Sequence, residues 1–317
     1  MQKVLITGAL GFIGSYLTKY ILDNHSETSV IAIGRNSNQR KLQRLSSHIN
    51  DRRLQMVYTD FAKNSMTEYF DGVDYCFHLG AKTFVDHSIR DPLPFIESNI
   101  IGTYNMLEAA RKCRTLKGYF QVSTDEVYGP CLGEPFREDA QPNPSNPYSA
   151  SKMAADSLAI SYYHTYKLPI IITRTENNYG PFQGPEKVMP VFVKKALAGE
   201  PLPVYGDGLH RRRWLHVEDH CRAFLYLMWQ GKSGEIYHVA GEEELTNIAL
   251  AKKIAKILNV PEKIEFIPDH NIRPSHDRRY ALNVDKLKAT GWFPKYDINS
   301  GFEEVINWYK NNEWWMK

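Results

Sequence analysis

A glycine-rich turn near the start of the chain constrains the fold most. Gly8, Gly11 and Gly14 follow an apolar run at Lys3–Thr7, which predicts a strand, and they overlap the start of a helical pattern at Phe12. Glycines at this spacing let the backbone approach a pyrophosphate at the helix N-terminus. The same glycines could form a tight turn without a ligand, but the strand–turn–helix context favours dinucleotide binding.

Further along the chain, apolar runs alternate with helical patterns. We predict strands at Ser29–Ile33, Leu54–Tyr58, Tyr75–Leu79, Gly118–Val122 and Pro169–Thr173, and helices that include Asn99–Lys112 and Tyr148–Lys167. Alternation of this kind is typical of a parallel sheet that helices cover on both faces. The sequence therefore predicts an α/β fold with a Rossmann-type, doubly wound parallel sheet.

The pattern changes after about residue 177. Loops rich in Pro, Gly and Arg follow, with predicted helices at Val188–Ala198, Val217–Gln230 and Asn247–Leu258. We interpret this half as a smaller α/β lobe. The predicted division is a dinucleotide-binding domain over residues 1–176 and a second, substrate-binding lobe over residues 177–317, with the chain crossing between the two.

Composition narrows the class of protein. The chain has 317 residues, 43% hydrophobic and 24% charged, as in ordinary globular proteins. Its formal charge of +3 is too balanced for a protein that binds nucleic acid by neutralising phosphates. No stretch approaches the roughly 18 apolar residues of a membrane span, and the N-terminus carries no leader pattern. We expect a cytoplasmic protein with no nucleic-acid or membrane partner.

The cysteines predict neither disulfides nor a metal site. They are scattered along the chain without the spacing of metal ligands, at Cys76, Cys113, Cys131 and Cys221. We expect reduced thiols that pack as small apolar side chains, and no bound metal.

The end of the second predicted strand bears on cofactor choice. Dinucleotide folds that bind NAD usually carry Asp or Glu there, but this chain has Arg35, 21 residues beyond Gly14. A guanidinium can bind a 2′-phosphate, with Arg40 and Lys41 nearby as further cations. The sequence favours NADP over NAD, although Arg35 could also be solvated or stack on adenine. Asp60, after the next strand, is expected to meet the adenine amino group.

Two short patterns carry the candidate chemistry. Tyr148 and Lys152 lie four residues apart, on one face of a predicted helix, where the ammonium and an oxidised nicotinamide would lower the pKa of the phenol and make it a general base. Thr124, Asp125 and Glu126 follow an apolar strand, at the end where parallel sheets bind ligands. Each pattern alone has an ordinary alternative, a surface Tyr/Lys pair or a helix cap in a solvated turn.

Together the motifs mark a resemblance. They are the glycine turn, Ser123–Gly129, the Tyr148/Lys152 pair, Asn177–Pro181 and His276–Tyr280. The chain resembles the extended short-chain dehydrogenase/reductases, and within them the nucleotide-sugar 4,6-dehydratase branch. The similarity runs over nearly the whole chain and includes Pro185–Lys187, Leu202–Gly208 and Trp214–His220.

The resemblance implies a reaction. Tyr148, steadied by Lys152, would take the proton of the sugar O4 while hydride passes from C4 to the nicotinamide, and Thr124 would hydrogen-bond near O4. Glu126 would then remove the C5 proton while Asp125 protonates the departing O6 hydroxyl, and hydride would return to C6. Such chemistry needs one carboxyl protonated and the other ionised. The product is a 4-keto-6-deoxy sugar nucleotide.

The resemblance also implies contacts. For the cofactor, NADP or NAD, they are Gly8, Gly11, Phe12, Ile13, Gly14, Arg35, Asp60, Phe61, Leu79, Ala81, Thr83, Asn99, Tyr148 and Lys152. For a nucleotide-diphosphate sugar they are Asn177, Glu186, Lys187, Val204, Tyr205, Arg212 and Arg278. Arginines suit a diphosphate because a guanidinium can donate two hydrogen bonds to it.

Two segments depart from the family pattern. Ala81–Phe84 stands where the family usually has Ala-Glu-Ser-His, and Thr175 with Glu176 stands where small residues are common. Both segments are expected near the cofactor and the hexose, so the substrate stays open between dTDP-glucose and UDP-N-acetylglucosamine. Lys82 receives no role and is taken as an outward-facing lysine.

Other functions remain open at this stage. A nucleotide-sugar 4-epimerase or decarboxylase would need the Tyr/Lys pair but not both carboxyls, and a non-catalytic dinucleotide-binding protein would need neither.

A homodimer is expected through the helices at Asn99–Lys112 and Tyr148–Lys167. Their apolar side chains, Leu107, Ala110, Leu158 and Tyr162, could equally belong to the core of one subunit.

Overall fold

The structure is a computed structural model that describes residues 2–35, 39–268 and 277–317. His276, part of one quoted motif, lies outside these residues. The strands of the described part are β1 (Gln2–Thr7), β2 (Thr28–Gly34), β3 (Leu54–Tyr58), β4 (Tyr75–His78), β5 (Gly118–Thr124), β6 (Ile170–Thr175), β7 (Asn177–Tyr179), β8 (Leu202–Tyr205), β9 (Arg211–His216), β10 (Ile236–Val239), β11 (Glu244–Thr246) and β12 (Ile264–Ile267).

Helices separate most of these strands. They are α1 (Phe12–Asn24), α2 (Gln39–Gln43), α3 (Val85–Arg90), α4 (Leu93–Phe95), α5 (Gly102–Lys112), α6 (Pro147–Tyr166), α7 (Val188–Leu197), α8 (Val217–Gln230), α9 (Asn247–Leu258), α10 (Asp285–Ala289) and α11 (Ile298–Asn311). A π-helical segment, Ile96–Ile101, joins α4 to α5, and the predicted helix Asn99–Lys112 spans that junction. Single 3₁₀ turns lie at Ser46–His48, Thr67–Phe70, Asp125–Tyr128 and Glu313–Met316.

Seven parallel strands form the main sheet in the order β10-β6-β5-β4-β1-β2-β3. The order reverses between β1 and β4, which is the switch point where open α/β sheets bind ligands. Buried apolar side chains on both faces explain the nearly continuous hydrophobic runs of these strands. The predicted Rossmann-type fold is therefore confirmed.

Helices cover both faces of this sheet. On one face Leu17 of α1 and Phe224 of α8 share a core with β1 and β2. On the other face Leu107 and Ala110 of α5 pack with Ala159 and neighbouring side chains of α6. Leu107 and Ala110 are fully buried, so the alternative that they belong to the core of one subunit holds for them. Fixing α6 against β5 places its N-terminal turn at the ligand-binding edge.

One strand of the main sheet was not predicted from the sequence. The four residues of β10 lie in the C-terminal half, yet they pair with β6 in parallel through Ile236↔Ile172. Ile-Tyr-His-Val is too short to be distinguished by its pattern. A buried hydrogen bond of 2.7 Å between His238 Nε2 and the Tyr128 hydroxyl links this strand to the turn that follows β5.

The rest of the C-terminal half builds a second core. Two small sheets, β11-β9-β7 and β12-β8, accompany α7, α9 and α11, and none of these strands was predicted. Phe192, Leu250 and Phe302 are buried between the helices. The 3₁₀ turn at the C-terminus adds Trp315, whose indole N–H donates to the Gln183 carbonyl at 2.7 Å. That bond ties the C-terminus to the loop that follows β7.

Membrane-spanning helices, paired cysteines and metal-binding clusters are absent from the described residues. No helix in this part of the chain is long and apolar enough to cross a membrane. The four cysteines are unpaired, and Cys76, Cys131 and Cys221 are buried. Among residues 2–35, 39–268 and 277–317, no three His, Cys, Asp or Glu side chains are grouped closely enough to hold a metal ion.

Trp315 and Trp314 offer a matched test of the second core. Trp315 is fully buried, whereas Trp314 beside it is 46% exposed. Trp315→Ala should lower the free energy of unfolding by about 3–5 kcal/mol, because it leaves a cavity and removes an indole hydrogen bond. Trp314→Ala should cost about 1 kcal/mol or less. Denaturant unfolding of both variants measures this, and equal losses would contradict the assigned packing.

Candidate active site

The glycine turn lies at the carboxyl end of β1, beside the switch point. Gly8 adopts a φ of 67°, and its carbonyl accepts the Gly11 N–H at 2.7 Å. A Cβ at Gly14 would lie only 2.4 Å from that same carbonyl oxygen, so the tight approach requires glycine. The Gly80 backbone on the next loop leaves no room for a side chain at Gly8 either.

The turn opens directly onto the N-terminus of α1. Gly11 is the N-cap residue and has no side chain to accept from the first helical N–H groups, which start at Phe12 and Ile13. Those N–H groups and the helix dipole suit an anion. A cradle that only glycines can form, at a helix N-terminus, fits the pyrophosphate of a dinucleotide. The five predicted cofactor contacts from Gly8 to Gly14 all lie in this turn or at the start of α1.

The residues predicted at the adenosine end meet one another. Arg35 at the end of β2 lies 3.7 Å from Asp60, with half of its side chain exposed. Asp60 also accepts the Ala62 N–H at 3.0 Å, which fixes the loop after β3. Phe61 is buried against Gly80 and would collide with any Cβ there. The guanidinium predicted to bind a 2′-phosphate thus already faces a carboxylate.

Asn99 holds the loop that follows β4 in place. Its side-chain oxygen accepts the Lys82 N–H at 2.8 Å, and its amide donates to the Lys82 carbonyl and to Ser151 Oγ on α6. Asn99 is fully buried, so its side chain acts by fixing the loop that carries Leu79, Ala81 and Thr83. The Lys82 ammonium lies 6.0 Å from the centre of the Phe95 ring rather than free in solvent.

The carboxyl end of β5 carries Thr124, Asp125 and Glu126. Thr124 is extended and caps the 3₁₀ turn, since its Oγ1 accepts the Glu126 N–H at 3.3 Å. The same hydroxyl donates to Asp125 Oδ1 at 2.9 Å. This turn separates the two acids: Asp125 is buried, and Glu126 is half-buried and accepts from Asn146 at 3.5 Å. Two adjacent carboxyls therefore occupy different environments.

Their environments perturb ionisation as acid–base chemistry requires. Burial and, after it, the negative charge of Glu126 raise the pKa of Asp125 to about 7, although the Thr124 hydroxyl and Arg212 lower it. A carboxylic acid that keeps its proton near neutral pH can act as a general acid.

Tyr148 and Lys152 lie one turn apart on α6, both buried. The Lys152 ammonium donates to the Val122 carbonyl at 2.6 Å, and burial lowers its pKa. Burial and Glu126 raise the pKa of Tyr148, while a hydrogen bond with Thr124 lowers it. The chain alone thus does not give Tyr148 the lowered pKa that the sequence predicted, because burial and the charges of Glu126, Asp125 and Asp156 all raise it.

A group of polar residues that includes Tyr280 lies near Glu126, since burial and then the charge of Glu126 raise the pKa of Tyr280. Arg212 stacks on the Tyr280 ring at 4.5 Å and donates to the Asp277 carbonyl at 2.9 Å. Tyr280 and Ser145 both donate to one carboxyl oxygen of Asp277, at 2.5 and 2.7 Å. Arg212 also acts electrostatically on Asp125, so the structure brings this predicted substrate residue to the acids.

The other predicted substrate residues are more spread out. Arg278 is half-exposed and pairs with Asp207 at 2.6 Å, near Tyr205. The Lys187 ammonium lies 4.3 Å from the centre of the Phe84 ring, and Asn177 pairs with Trp214 in the small sheet. Glu186 is exposed. Val204 is fully buried in the second core, so its side chain cannot reach a ligand and only its backbone is available there.

Sequence reasoning missed three residues of this site. Asn146 caps α6 in a reciprocal arrangement with Ser149, and Pro147 occupies the first helical position. Asn-Pro before an apolar helix is a signal that could have identified this cap. Asp277 lay within a quoted motif without a role, and Glu176 was noted only as a departure, although it is buried beside Asp125.

A Rossmann-type sheet with a Tyr/Lys pair at its ligand-binding edge defines an extended short-chain dehydrogenase/reductase. The family model described as GDP-mannose 4,6 dehydratase matches residues 5–305. The chain belongs to this family, and the resemblance to the nucleotide-sugar 4,6-dehydratase branch is confirmed. It is an enzyme of that branch.

Individual relatives agree with this assignment. The chain is 38% identical to an Escherichia coli dTDP-glucose 4,6-dehydratase, over all of this chain and 96% of the relative. It is 36% identical to the solved Bacillus anthracis dTDP-glucose 4,6-dehydratase in complex with NAD, with a TM-score of 0.91 over 99% of this chain and 98% of the other. A Bacillus cereus UDP-glucuronic acid 4-epimerase in complex with UDP-glucuronic acid and NAD is 26% identical, with a TM-score of 0.92 over 98% and 99%.

The glycine turn provides a direct test of the cofactor site. Gly14→Ala should weaken nicotinamide-dinucleotide binding at least about tenfold, because the new Cβ collides with the Gly8 carbonyl and displaces the turn. Gly133→Ala is the matched control, since a Cβ there meets nothing within 4 Å. Calorimetric titration of both folded variants measures the affinity, and unchanged binding by Gly14→Ala would place the cofactor elsewhere.

Proposed function

We propose that this enzyme converts a nucleotide-diphosphate hexose to its 4-keto-6-deoxy form, with dTDP-glucose as substrate. The observation that carries the proposal is the pair of unlike carboxyls after β5. Buried Asp125 keeps a proton near pH 7, whereas Glu126 is more exposed and lies beside it. Elimination of water across C5 and C6 needs this combination of an acid and a base.

Each residue then has a role set by its position. Tyr148 takes the O4 proton, Thr124 hydrogen-bonds near O4, and buried Lys152 supplies positive charge one helical turn from Tyr148. Glu126 removes the C5 proton while Asp125 donates to the departing O6. The glycine turn would hold the pyrophosphate of the dinucleotide, whose nicotinamide would supply the hydride chemistry at C4 and C6.

The choice of dTDP-glucose rests on relatives. Both dTDP-glucose 4,6-dehydratases described above match nearly the whole chain at more than one-third identity. UDP-N-acetylglucosamine is the second candidate, because the departures at Ala81–Phe84 and Thr175–Glu176 are proposed to lie near the cofactor and the hexose. Arg212, near the acids and stacked on Tyr280, is proposed to bind the diphosphate and to set the distance of the sugar from Asp125.

A second candidate function has one specific observation in its favour. The Bacillus cereus 4-epimerase has a TM-score of 0.92 to this chain, so this architecture also carries epimerisation. Epimerisation needs no carboxyl to remove the C5 proton. Glu126 therefore separates the two functions.

Glu126→Gln should abolish conversion to the 4-keto-6-deoxy sugar. An NMR time course in deuterated water, with dTDP-glucose and separately with UDP-N-acetylglucosamine, should show the C6 methyl signal and C5 deuterium for the native enzyme with dTDP-glucose. Glu126→Gln should lower both by at least about a hundredfold, because general acid–base groups contribute roughly this much.

Glu134→Gln, an exposed carboxyl, is the matched control and should behave as the native enzyme does. A 4-epimer without C5 exchange, formed equally well by Glu126→Gln, would replace the dehydratase proposal with the epimerase. If the C6 methyl signal forms only from UDP-N-acetylglucosamine, that nucleotide sugar replaces dTDP-glucose as the substrate.

For the cofactor, we propose NAD as the resident dinucleotide. The sequence favoured NADP through Arg35, but the Asp60 carboxylate lies 3.7 Å from that guanidinium and would repel a 2′-phosphate. The two solved relatives described above hold NAD. The preference for NADP is thus not supported by the neighbours of Arg35.

Asp60→Asn should shift the cofactor preference toward NADP. The native protein should bind NAD more tightly than NADP, and Asp60→Asn should narrow that ratio several-fold by releasing Arg35 and removing the repelling charge. Asp71→Asn, an exposed carboxyl, should leave the ratio unchanged. Paired titrations with NAD and NADP measure it, and tighter NADP binding by the native protein would restore the sequence-based prediction.

Three further predictions stay proposals. The lobe boundary near residue 176 is proposed with β10 returning to the first lobe. A homodimer is proposed through the outer faces of α5 and α6, where Tyr104 and Tyr166 are about half exposed, rather than through buried Leu107, Ala110 and Tyr162. A cytoplasmic location is proposed from the sequence alone.

A further inference from the structure

Glu176 stands next to Asp125 because of strand register. β5 and β6 pair in parallel, with Ser123 opposite Arg174 and Thr124 opposite Thr175. Asp125 and Glu176 directly follow the last of these pairs. Both therefore lie at the ligand-binding edge of the sheet, next to each other. The sequence separation of 51 residues hides this pairing.

Both carboxyls are buried, and in each of them only one of the two oxygens accepts a hydrogen bond within the described residues. Asp125 and Glu176 are each 4% exposed. Glu176 Oε1 accepts the Leu282 N–H at 2.6 Å, and Asp125 Oδ1 accepts from Thr124. Within the described residues, Glu176 Oε2 and Asp125 Oδ2 have no hydrogen-bond partner. A buried carboxylate oxygen without a donor is costly, so at least one of these oxygens is better accommodated with a proton.

The surrounding charges do not neutralise the pair. Burial raises the pKa of Glu176 well above its usual range and Asp125 raises it further, whereas Arg213 opposes this. The Arg213 guanidinium donates elsewhere, to the Leu282 carbonyl at 2.9 Å. The groups that face the pair are Glu126, Tyr148, Arg212, Arg213, Glu244, Arg279 and Cys131. Two buried neighbouring carboxyls with this little compensation do not both ionise at neutral pH.

We propose that Glu176 is a positioning residue that shares one proton with Asp125, so that Asp125 enters the elimination step as a carboxylic acid. This inference rests on the proposed dehydration. In that step the C5–H bond breaks, its proton goes to Glu126, and its electron pair forms the C5=C6 double bond. The C6–O6 bond breaks at the same time, and Asp125 gives its proton to the departing hydroxyl, which leaves as water. Asp125 becomes a carboxylate beside Glu176, and their repulsion favours the return of a proton from solvent.

The proposal also explains why Glu126 is the base. Three carboxyls share the region, and one proton is held where burial is deepest. Glu126 is half-buried and accepts from Asn146, whereas Asp125 and Glu176 are almost completely buried, so the proton is assigned to the buried pair and Glu126 is left as the base. Glu176, which departs from the family pattern, thereby helps to keep Asp125 as the acid and Glu126 as the base.

Glu176→Gln tests the shared proton. Glutamine keeps the volume and an oxygen for the Leu282 N–H but removes the charge. The pKa of Asp125 should then fall, so the alkaline limb of the pH profile of kcat should move down by about one pH unit, with KM nearly unchanged. Glu138→Gln, another partly buried carboxyl, bonded to the His238 N–H, is the matched control and should not move this limb.

Carboxyl titration provides a readout that does not need turnover. Protein labelled with ¹³C at Asp and Glu carboxyls should show two coupled titrations, and Glu176→Gln should move that of Asp125 to lower pH. Asp125→Asn should in turn move that of Glu176 to lower pH, which keeps the test available if Glu176→Gln does not fold. Two independent single-site titrations, unmoved by either variant, would overturn the proposal. If the titrations are coupled but the protein dehydrates no nucleotide sugar, the proposed function is overturned, while the shared proton of Asp125 and Glu176 is supported.

Discussion

A buried ion pair joins the elements that build the site. Arg174 at the end of β6 donates to Asp156 on α6 at 3.0 Å, and both side chains are almost completely buried. The same Asp156 oxygen accepts from Ser123 of β5 at 2.9 Å, and Arg174 also donates to Tyr128 in the turn that carries the acids. Loss of one partner from such a pair typically costs about 3–5 kcal/mol, because a buried charge is left uncompensated. The relative positions of α6, β5 and β6 therefore depend on it.

The parts of the fold that could be predicted are those whose signal is local. Gly8 to Gly14 follow a strand and open a helix, so the turn and the signal for dinucleotide binding lie within a dozen residues. The strand β10 lacks such a signal: its four residues are identified by partners far away, Ile172 across the ladder and Tyr128 through His238. The register between β5 and β6 is also set by residues far apart in the sequence. The sequence therefore showed that Glu176 departs from the family pattern, but not that it lies beside Asp125.

Electrostatics in the site was harder to predict than position. The spacing of Tyr148 and Lys152 was correctly interpreted as one helix face, but the lowered phenol pKa was not found, because the sequence pattern contains no measure of burial or of the charge of Glu126. Val204 shows the same limit, since a residue in a family motif can contribute its backbone while its side chain belongs to a core. Motifs identify which residues meet, and burial determines how they ionise.

The two proton-removal steps of the proposed reaction require opposite charges in the same part of the site. Proton removal from O4 by Tyr148 is favoured by positive charge, whereas removal of the C5 proton needs a carboxylate nearby. Lys152 is fixed by the Val122 carbonyl and cannot move toward Glu126 without giving up that bond. A proton held between Asp125 and Glu176 lowers the negative charge on Asp125, which is one of the carboxyls that raise the pKa of the phenol. The same proton that serves as the acid for O6 thus also makes the first step less unfavourable, which links the two steps through one buried pair.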